Sequence, residues 1–257
     1  RQSIIIKPSF AEAYNNLGKA LMELEKFDDA EIYLKQSITL KNDYAEAHYN
    51  LGNVYKELRK YDKAEIYLKK AVYLKPDFLE AYSNLSLIYI ELGRLNEAEN
   101  NSKLAAKIKP NNAIVHFNLA NILQELGKLD DSKKSYQQAI SLNPNHSESY
   151  LNLCELLEKT NKINESLIVI KNAKKNNIEK KIDLSFYEAL IQFRLENFDI
   201  AGSIIMKIDD TQLSNKRKLS FLKLKADWYH YKRDFSNAFK TYNNMNYNIK
   251  KSSDYKF

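Results

Sequence analysis

The sequence is short of the residues that break, cross-link or anchor a chain. Its 257 residues include only 5 Gly and 4 Pro. Sandwiches and barrels need frequent turn residues, so this scarcity argues for helices. The single cysteine, Cys154, excludes an internal disulfide framework and lends no support to a zinc site. No run of about 18 apolar residues is present, so no segment is expected to span a membrane. No nucleophile–histidine–acid set, glycine-rich phosphate loop or metal-ligand spacing appears. No catalytic residue, cofactor or metal is therefore expected. No signal peptide leads the sequence, which starts at Arg1 rather than Met, so a cytoplasmic address is the default expectation.

What is present points to a folded, helical protein. A hydrophobic fraction of 44% supplies a core and excludes a disordered chain. The net charge of +7 is unevenly placed: residues 215–257 hold 11 Lys+Arg against 3 Asp+Glu. Nucleic acid is not the expected partner, because the basic charge is confined to this end instead of forming a stripe along a working face.

Five asparagines stand 34 residues apart: Asn16, Asn50, Asn84, Asn118 and Asn152. Each precedes a leucine (Leu17, Leu51, Leu85, Leu119, Leu153) and then a small residue (Gly18, Gly52, Ser86, Ala120, Cys154). Nine positions later comes a large apolar residue, from Phe27 to Ile163. Three further on a second small residue follows: Ala30, Ala64, Ala98, Ser132, Ser166. Pro76, Pro110 and Pro144 close three of the units, with Asn42 and Ile178 at the same slot in the others.

Apolar and small residues recur at three- and four-residue spacing in each half, so each unit reads as two helices. Ser9, Asp43, Asp77, Asn111 and Asn145 are placed to cap the first helices, which end near Leu24, Leu58, Leu92, Leu126 and Thr160. Asp28, Asp62, Asn96, Asp130 and Asn164 are placed to cap the second. Glu31, Glu65 and Glu99 stand three residues later, where a capping box would put them.

This 34-residue pattern of aromatic, Leu, Gly/Ala, Ala, Ala and Pro resembles the tetratricopeptide repeat. The early aromatic slot holds Tyr14, His48, Tyr82, His116 and Tyr150 instead of tryptophan. The resemblance implies an all-α, right-handed superhelical solenoid of antiparallel helix pairs. First helices would line a concave working face and second helices a convex one. Residues 11–180 form five regular units. Residues 1–10 read as the end of a truncated preceding repeat, because "RQSIIIKPSF" aligns with Lys35 to Tyr44. "ENFDIA" at Glu196 and "RDFSNA" at Arg233 echo "EKFDDA" at Glu25, so 181–247 read as two divergent helix pairs, with Asp199 and Ser236 as caps. Residues 248–257 read as a polar tail leading out of a fragment.

The Asn slot shares a helical stripe with positions four before, three after and seven after it. That stripe carries Glu12, Glu46, Glu80, Ile114 and Glu148, then Lys19, Asn53, Leu87, Asn121 and Glu155, then Glu23, Glu57, Glu91, Glu125 and Lys159. It is mostly polar, which puts the asparagines on a wet face, expected to be the groove. An amide side chain offers both donor and acceptor, so it bonds a peptide backbone whatever its side chains. Packed helices about 8–10 Å apart and a peptide advancing about 3.3 Å per residue give one Asn for roughly every third peptide residue. Five rungs would hold a strand of roughly 12–15 residues.

This arrangement is similar to the Asn ladder in the repeat domain of O-linked N-acetylglucosamine transferases, which binds extended protein substrates. The resemblance implies peptide binding by Asn16, Asn50, Asn84, Asn118 and Asn152, with Asn53 and Asn121 beside them. The alternative is that these amides bond neighbouring helices or water. The acids Glu12, Glu46, Glu80, Glu23, Glu57, Glu91 and Glu125 would favour a neutral or basic partner; the bland reading of them is a solvated face. A Lys/Arg clamp for acidic tails is not expected on so acidic a stripe. His48 and His116 are expected to pack, being too far apart to share a metal, and Cys154 to fill a small slot. Trp228, Tyr229 and Tyr231, although among basic residues, are expected to be core.

The expected function is a protein-interaction module holding an extended segment in its groove. One alternative is the substrate-recruiting arm of a larger glycosyltransferase or sulfotransferase. Another is an assembly scaffold. Self-association is left open.

Overall fold

The computed structural model describes residues 10–176, 178 and 182–251. The expected end of a preceding repeat, apart from Phe10, and the polar tail beyond Lys251 lie outside them. Among the described residues there are fourteen α-helices, one short 3-10 turn and no strand. None of these helices is long and apolar enough to cross a membrane. The chain divides into two compact units, Arg1–Ser135 and Tyr136–Phe257.

The first unit is built from α1 (Ala11–Glu23), α2 (Phe27–Leu40), α3 (Ala45–Glu57), α4 (Tyr61–Leu74), α5 (Leu79–Glu91), α6 (Leu95–Ile108), α7 (Ala113–Glu125) and the start of α8 (Leu129–Leu142). Helices pair α1 with α2, α3 with α4 and α5 with α6, and each pair also packs on the next. The first helices α1, α3 and α5 touch in succession. The small slots explain the close pairing. Gly18 faces Leu34 so tightly that a Cβ would lie 2.5 Å from its Cγ, and at Gly52 a Cβ would lie 2.7 Å from Leu68 Cγ. Ala30, Ala64 and Ala98 are completely buried. Leu34, Leu51, Leu68, Leu85, Ile88 and Ile122 belong to one continuous core.

The second unit holds the rest of α8, then α9 (Ser147–Lys159), α10 (Ile163–Lys175), α11 (Ile182–Arg194), α12 (Phe198–Ile205), α13 (Asn215–Tyr231) and α14 (Phe235–Lys251). It too is made of consecutive pairs: α9 on α10, α11 on α12, α13 on α14. α12 is short because a 3-10 turn at Asp210–Gln212 intervenes before α13. α14 runs to Lys251, past position 247. Trp228 is half-buried and donates from Nε1 to Phe198 O at 3.0 Å. It packs over Gly202, where a Cβ would come within 2.4 Å of the indole. Tyr231, expected in the core, is 49% exposed and stacks on Phe198 with 3.8 Å between ring centroids.

One backbone device joins every pair. Glu25, Arg59, Gly93, Gly127, Asn161, Glu196 and Arg233 all have φ between 55° and 71°. Each lies two residues beyond the end of a first helix, and the same two hydrogen bonds surround each. At Arg59 its own N–H reaches Lys56 O (2.9 Å), and the N–H of Lys60 reaches Tyr55 O (2.8 Å). This is the Schellman closure, which satisfies carbonyls left over at a helix end. The divergent pairs use it as the regular ones do, at Glu196 and Arg233.

Ser9 lies outside the described residues; the other expected caps are corrected. First helices start one residue later than expected, and among α1, α3, α5, α7 and α9 only Asn112 caps with its side chain, accepting from Ile114 and Val115 N–H. Second helices start two residues earlier than expected, at Phe27, Tyr61, Leu95, Leu129 and Ile163. The Schellman turn feeds the chain straight into the helix, so Asp28, Asp62, Asn96, Asp130 and Asn164 sit inside the first turn. There the acids still face the positive end of the helix dipole. Asp234 rather than Ser236 caps α14, accepting from Asn237 N–H at 3.2 Å. Asp199 likewise lies within the first turn of α12.

Glu31, Glu65 and Glu99 consequently close no capping box. They join one pair to the next. Glu31 accepts from Tyr55 Oη (2.9 Å), and Glu65 from Tyr89 Oη (3.0 Å) and Arg94 Nη1 (2.8 Å). Glu99 accepts from Lys128 Nζ at 2.6 Å and from Lys103 Nζ at 2.7 Å.

Candidate functional site

The first helices position the recurring asparagines, and the structure treats the five differently. Asn16 is exposed, and its amide has no bond among the described residues. Asn50 is buried, at 8% exposure, and donates to Asn15 Oδ1 at 2.8 Å. Asn84 is half-buried and donates to Asn53 Oδ1 at 2.6 Å, with Tyr49 Oη 3.4 Å away. Asn118 is half-buried, and its amide makes no bond among the described residues. Asn152 and Asn121 are half-buried, and each already has a partner within the protein.

Asn84 meets the position three residues after the Asn slot of the first helix before it. For Asn84 that position is Asn53, an amide, so the two bond. For Asn118 it is Leu87, which offers no polar atom. For Asn50 it is Lys19, and the amide turns to Asn15 instead. Asn15 itself donates toward Tyr44 Oη at 3.4 Å. Asn15 was unremarkable in the sequence because later units have no counterpart to it. The lysine at position 19, where the next three units carry Asn53, Leu87 and Asn121, was the available signal.

Asn118 lines a small recess in the first unit together with Ser83, Ser86, Leu87, Val115 and Asn121. Around it the stripe is partly apolar: Leu87 is 44% exposed and Ile114 58%. The acids are at the surface. Glu12, Glu23, Glu57, Glu80, Glu91 and Glu125 are exposed. Glu46 is half-exposed and pairs with Lys75 Nζ at 3.2 Å, and Glu57 pairs with Lys56 at the same distance. Surface pairs of this kind contribute about 0–1 kcal/mol, so they leave the acidic character of the stripe in place.

The histidines and the cysteine serve packing. His48 is buried, its Nε2 lies 2.9 Å from Asn42 O, and burial holds its imidazole below the usual histidine range. His116 Nε2 makes the corresponding contact to Pro110 O at 2.7 Å. Burial pushes the Cys154 thiol up to about 12. Among the described residues, no group of three or more His, Cys, Asp or Glu could hold a metal ion.

Profiles described as "Tetratricopeptide repeat" match residues 11–44, 45–78 and 113–146, and one described as "TPR repeat" matches 87–127. Among solved structures, the chain is similar to YrrB, described as a TPR protein with an unusual peptide-binding site. The identity is 19% over 68% of this chain and 90% of that one, with a TM-score of 0.59. It is similar also to PilF of Pseudomonas aeruginosa, at 18% identity over 77% of this chain and 89% of that one, with a TM-score of 0.62. MamA of Desulfovibrio magneticus RS-1 matches at 17% identity over 66% of this chain and 95% of that one, with a TM-score of 0.58. At these identities the likeness is one of fold. No curated protein sequence matches the chain. The 34-residue recurrence, the paired helices and the matching profiles agree: the chain belongs to the tetratricopeptide repeat family.

Proposed function

We propose that the chain is a protein-interaction module that holds an extended peptide against the open stripe of its first helices. One observation carries this reading: the Asn118 amide, which makes no bond among the described residues, lies at the edge of a recess beside exposed Leu87 and Ile114. An amide with both donor and acceptor unspent, next to apolar surface, suits a peptide backbone and one of its side chains. Asn16 offers the same group at the surface. Asn84 spends its donors on the preceding first helix and Asn50 spends one N–H on Asn15, so each offers a ligand less than Asn118 does. The exposed acids favour a neutral or basic segment. That YrrB is described as having a peptide-binding site supports the same direction.

The test is a selection of phage-displayed twelve-residue peptides on the full chain, followed by anisotropy titration of a selected peptide. Asn118→Ala is expected to weaken binding about ten-fold, the loss of one to two backbone hydrogen bonds. Unchanged affinity in both Asn118→Ala and Asn16→Ala, or no selected peptide at all, refutes the reading.

A further inference from the structure

A second, larger recess lies in the C-terminal unit, where sequence periodicity is weakest. Helices α9, α11 and α13 enclose a cleft of about 430 Å³, within the range of about 300–1,000 Å³ typical of ligand pockets. Phe186, Leu190, Phe193 and Leu224 give it apolar walls. Phe186 and Leu224 are buried, whereas Leu190 and Phe193 remain partly exposed. These three helices are the first members of their pairs, as α1, α3, α5 and α7 are in the other unit.

The polar groups around these walls are unequally spent. Each carboxylate at the cleft already accepts a bond. Glu155 takes Lys159 Nζ (2.8 Å) and Tyr187 Oη (3.3 Å), Glu158 takes Arg194 Nη1 (2.8 Å), and Asp227 takes Tyr242 Oη. The cations are not all matched. Lys223 is exposed and has no ion-pair partner among the described residues. Arg217 pairs with Asp183 at 3.2 Å, yet its buried Nε has no hydrogen-bond partner. Glu155 and Glu158 are thus held by cations and Asp227 by a neutral hydroxyl, while Lys223 stands beside the apolar walls with no ion pair among the described residues.

We infer that this cleft is an anchor site for a peptide segment in which a bulky apolar side chain stands next to an aspartate or glutamate. The apolar side chain fills the space between Leu190, Phe193 and Leu224, and the carboxylate meets Lys223. An aromatic anchor suits the site because it adds large contact area at little cost in rotamer freedom. The inference rests on the peptide-binding reading and adds a side-chain preference to it. That preference is opposite in charge to the one set by the acidic stripe of the first unit.

Four end-capped, fluorescein-labelled decapeptides test it, each a Gly-Ser chain with Phe-Asp, Ala-Asp, Phe-Lys or Ala-Lys at its centre. The full chain is expected to bind the Phe-Asp peptide at least ten-fold tighter than Ala-Asp and at least three-fold tighter than Phe-Lys. Lys223→Glu, a surface change that leaves folding intact, should reverse the preference between Phe-Asp and Phe-Lys. Leu190→Ser should remove the preference for Phe over Ala. Equal affinities for the four peptides, or no binding of Phe-Asp at millimolar concentration, overturns the inference. If binding responds to Asn118→Ala but not to Lys223→Glu, the cleft is excluded and the amide reading stands. If it responds to Lys223→Glu alone, the cleft stands without the amides.

Discussion

The amide of Asn50 donates to Asn15 Oδ1 across 2.8 Å, joining α3 to α1 through two side chains 35 residues apart. Both residues are buried, Asn15 at 5% exposure and Asn50 at 8%. A bond of this kind holds the two first helices in register and commits one of Asn50's two N–H donors. It also separates two roles that share one sequence slot, since the Asn118 amide at the same slot makes no bond among the described residues.

The two roles predict different costs. Asn50→Ala leaves the buried Asn15 acceptor without its partner and is expected to destabilise by about 1–3 kcal/mol. Asn118→Ala breaks no bond and should stay within about 0.5 kcal/mol of the parent. Urea unfolding followed by circular dichroism measures both. Equal costs would mean that the Asn15–Asn50 bond does not persist in solution.

The left-handed turns offer a second prediction. Arg59 has φ of 55° and Glu25 of 57°, where Gly93 and Gly127 stand in the next units. A side chain in this conformation costs roughly 1–2 kcal/mol, part of which glycine returns through its freer unfolded state. Arg59→Gly is expected to raise stability by about 0.5–1 kcal/mol. Gly127→Arg should lower it by a similar amount. The shift in urea midpoint at constant slope is the readout.

Glu99 provides a pH dependence. Hydrogen bonds from Lys103 and Lys128 hold its carboxyl below the ordinary value of 4.5. A carboxyl lowered on folding contributes stability that is fully present above its unfolded value and lost as pH falls through the folded one. Glu99→Gln is therefore expected to cost about 1.5–3 kcal/mol at pH 7. The difference between parent and variant should shrink once the pH drops below the ordinary carboxylate range. A difference independent of pH would mean that packing, not charge, accounts for the cost. Thermal melts at a series of pH values decide it.

The contrast between Glu99 and Asn118 shows what a repeat pattern conveys. Glu31, Glu65 and Glu99 stand where a capping box would need them, and local spacing alone favours that reading. Besides the lysines four residues on, their partners are Tyr55, Tyr89, Arg94 and Lys128, 24 to 29 residues away and on the following pair. Local spacing could not see those partners because they depend on how pairs pack. The C-terminal cleft was missed for the same reason. Its walls come from α9, α11 and α13, two of which belong to pairs that have lost the Asn-Leu-small signature.

The sequence by itself determined the helix pair, its 34-residue recurrence and, to within a residue or two, the helix ends of the regular units. Apolar and small residues at three- and four-residue spacing leave a helix one face to bury, and the small slots dictate how closely its partner comes. Tertiary structure alone decided which polar groups are spent. The fate of an amide depends on the atom that the preceding helix places within about 3 Å of it: Asn53 for Asn84, Asn15 for Asn50, and the apolar Leu87 beside Asn118.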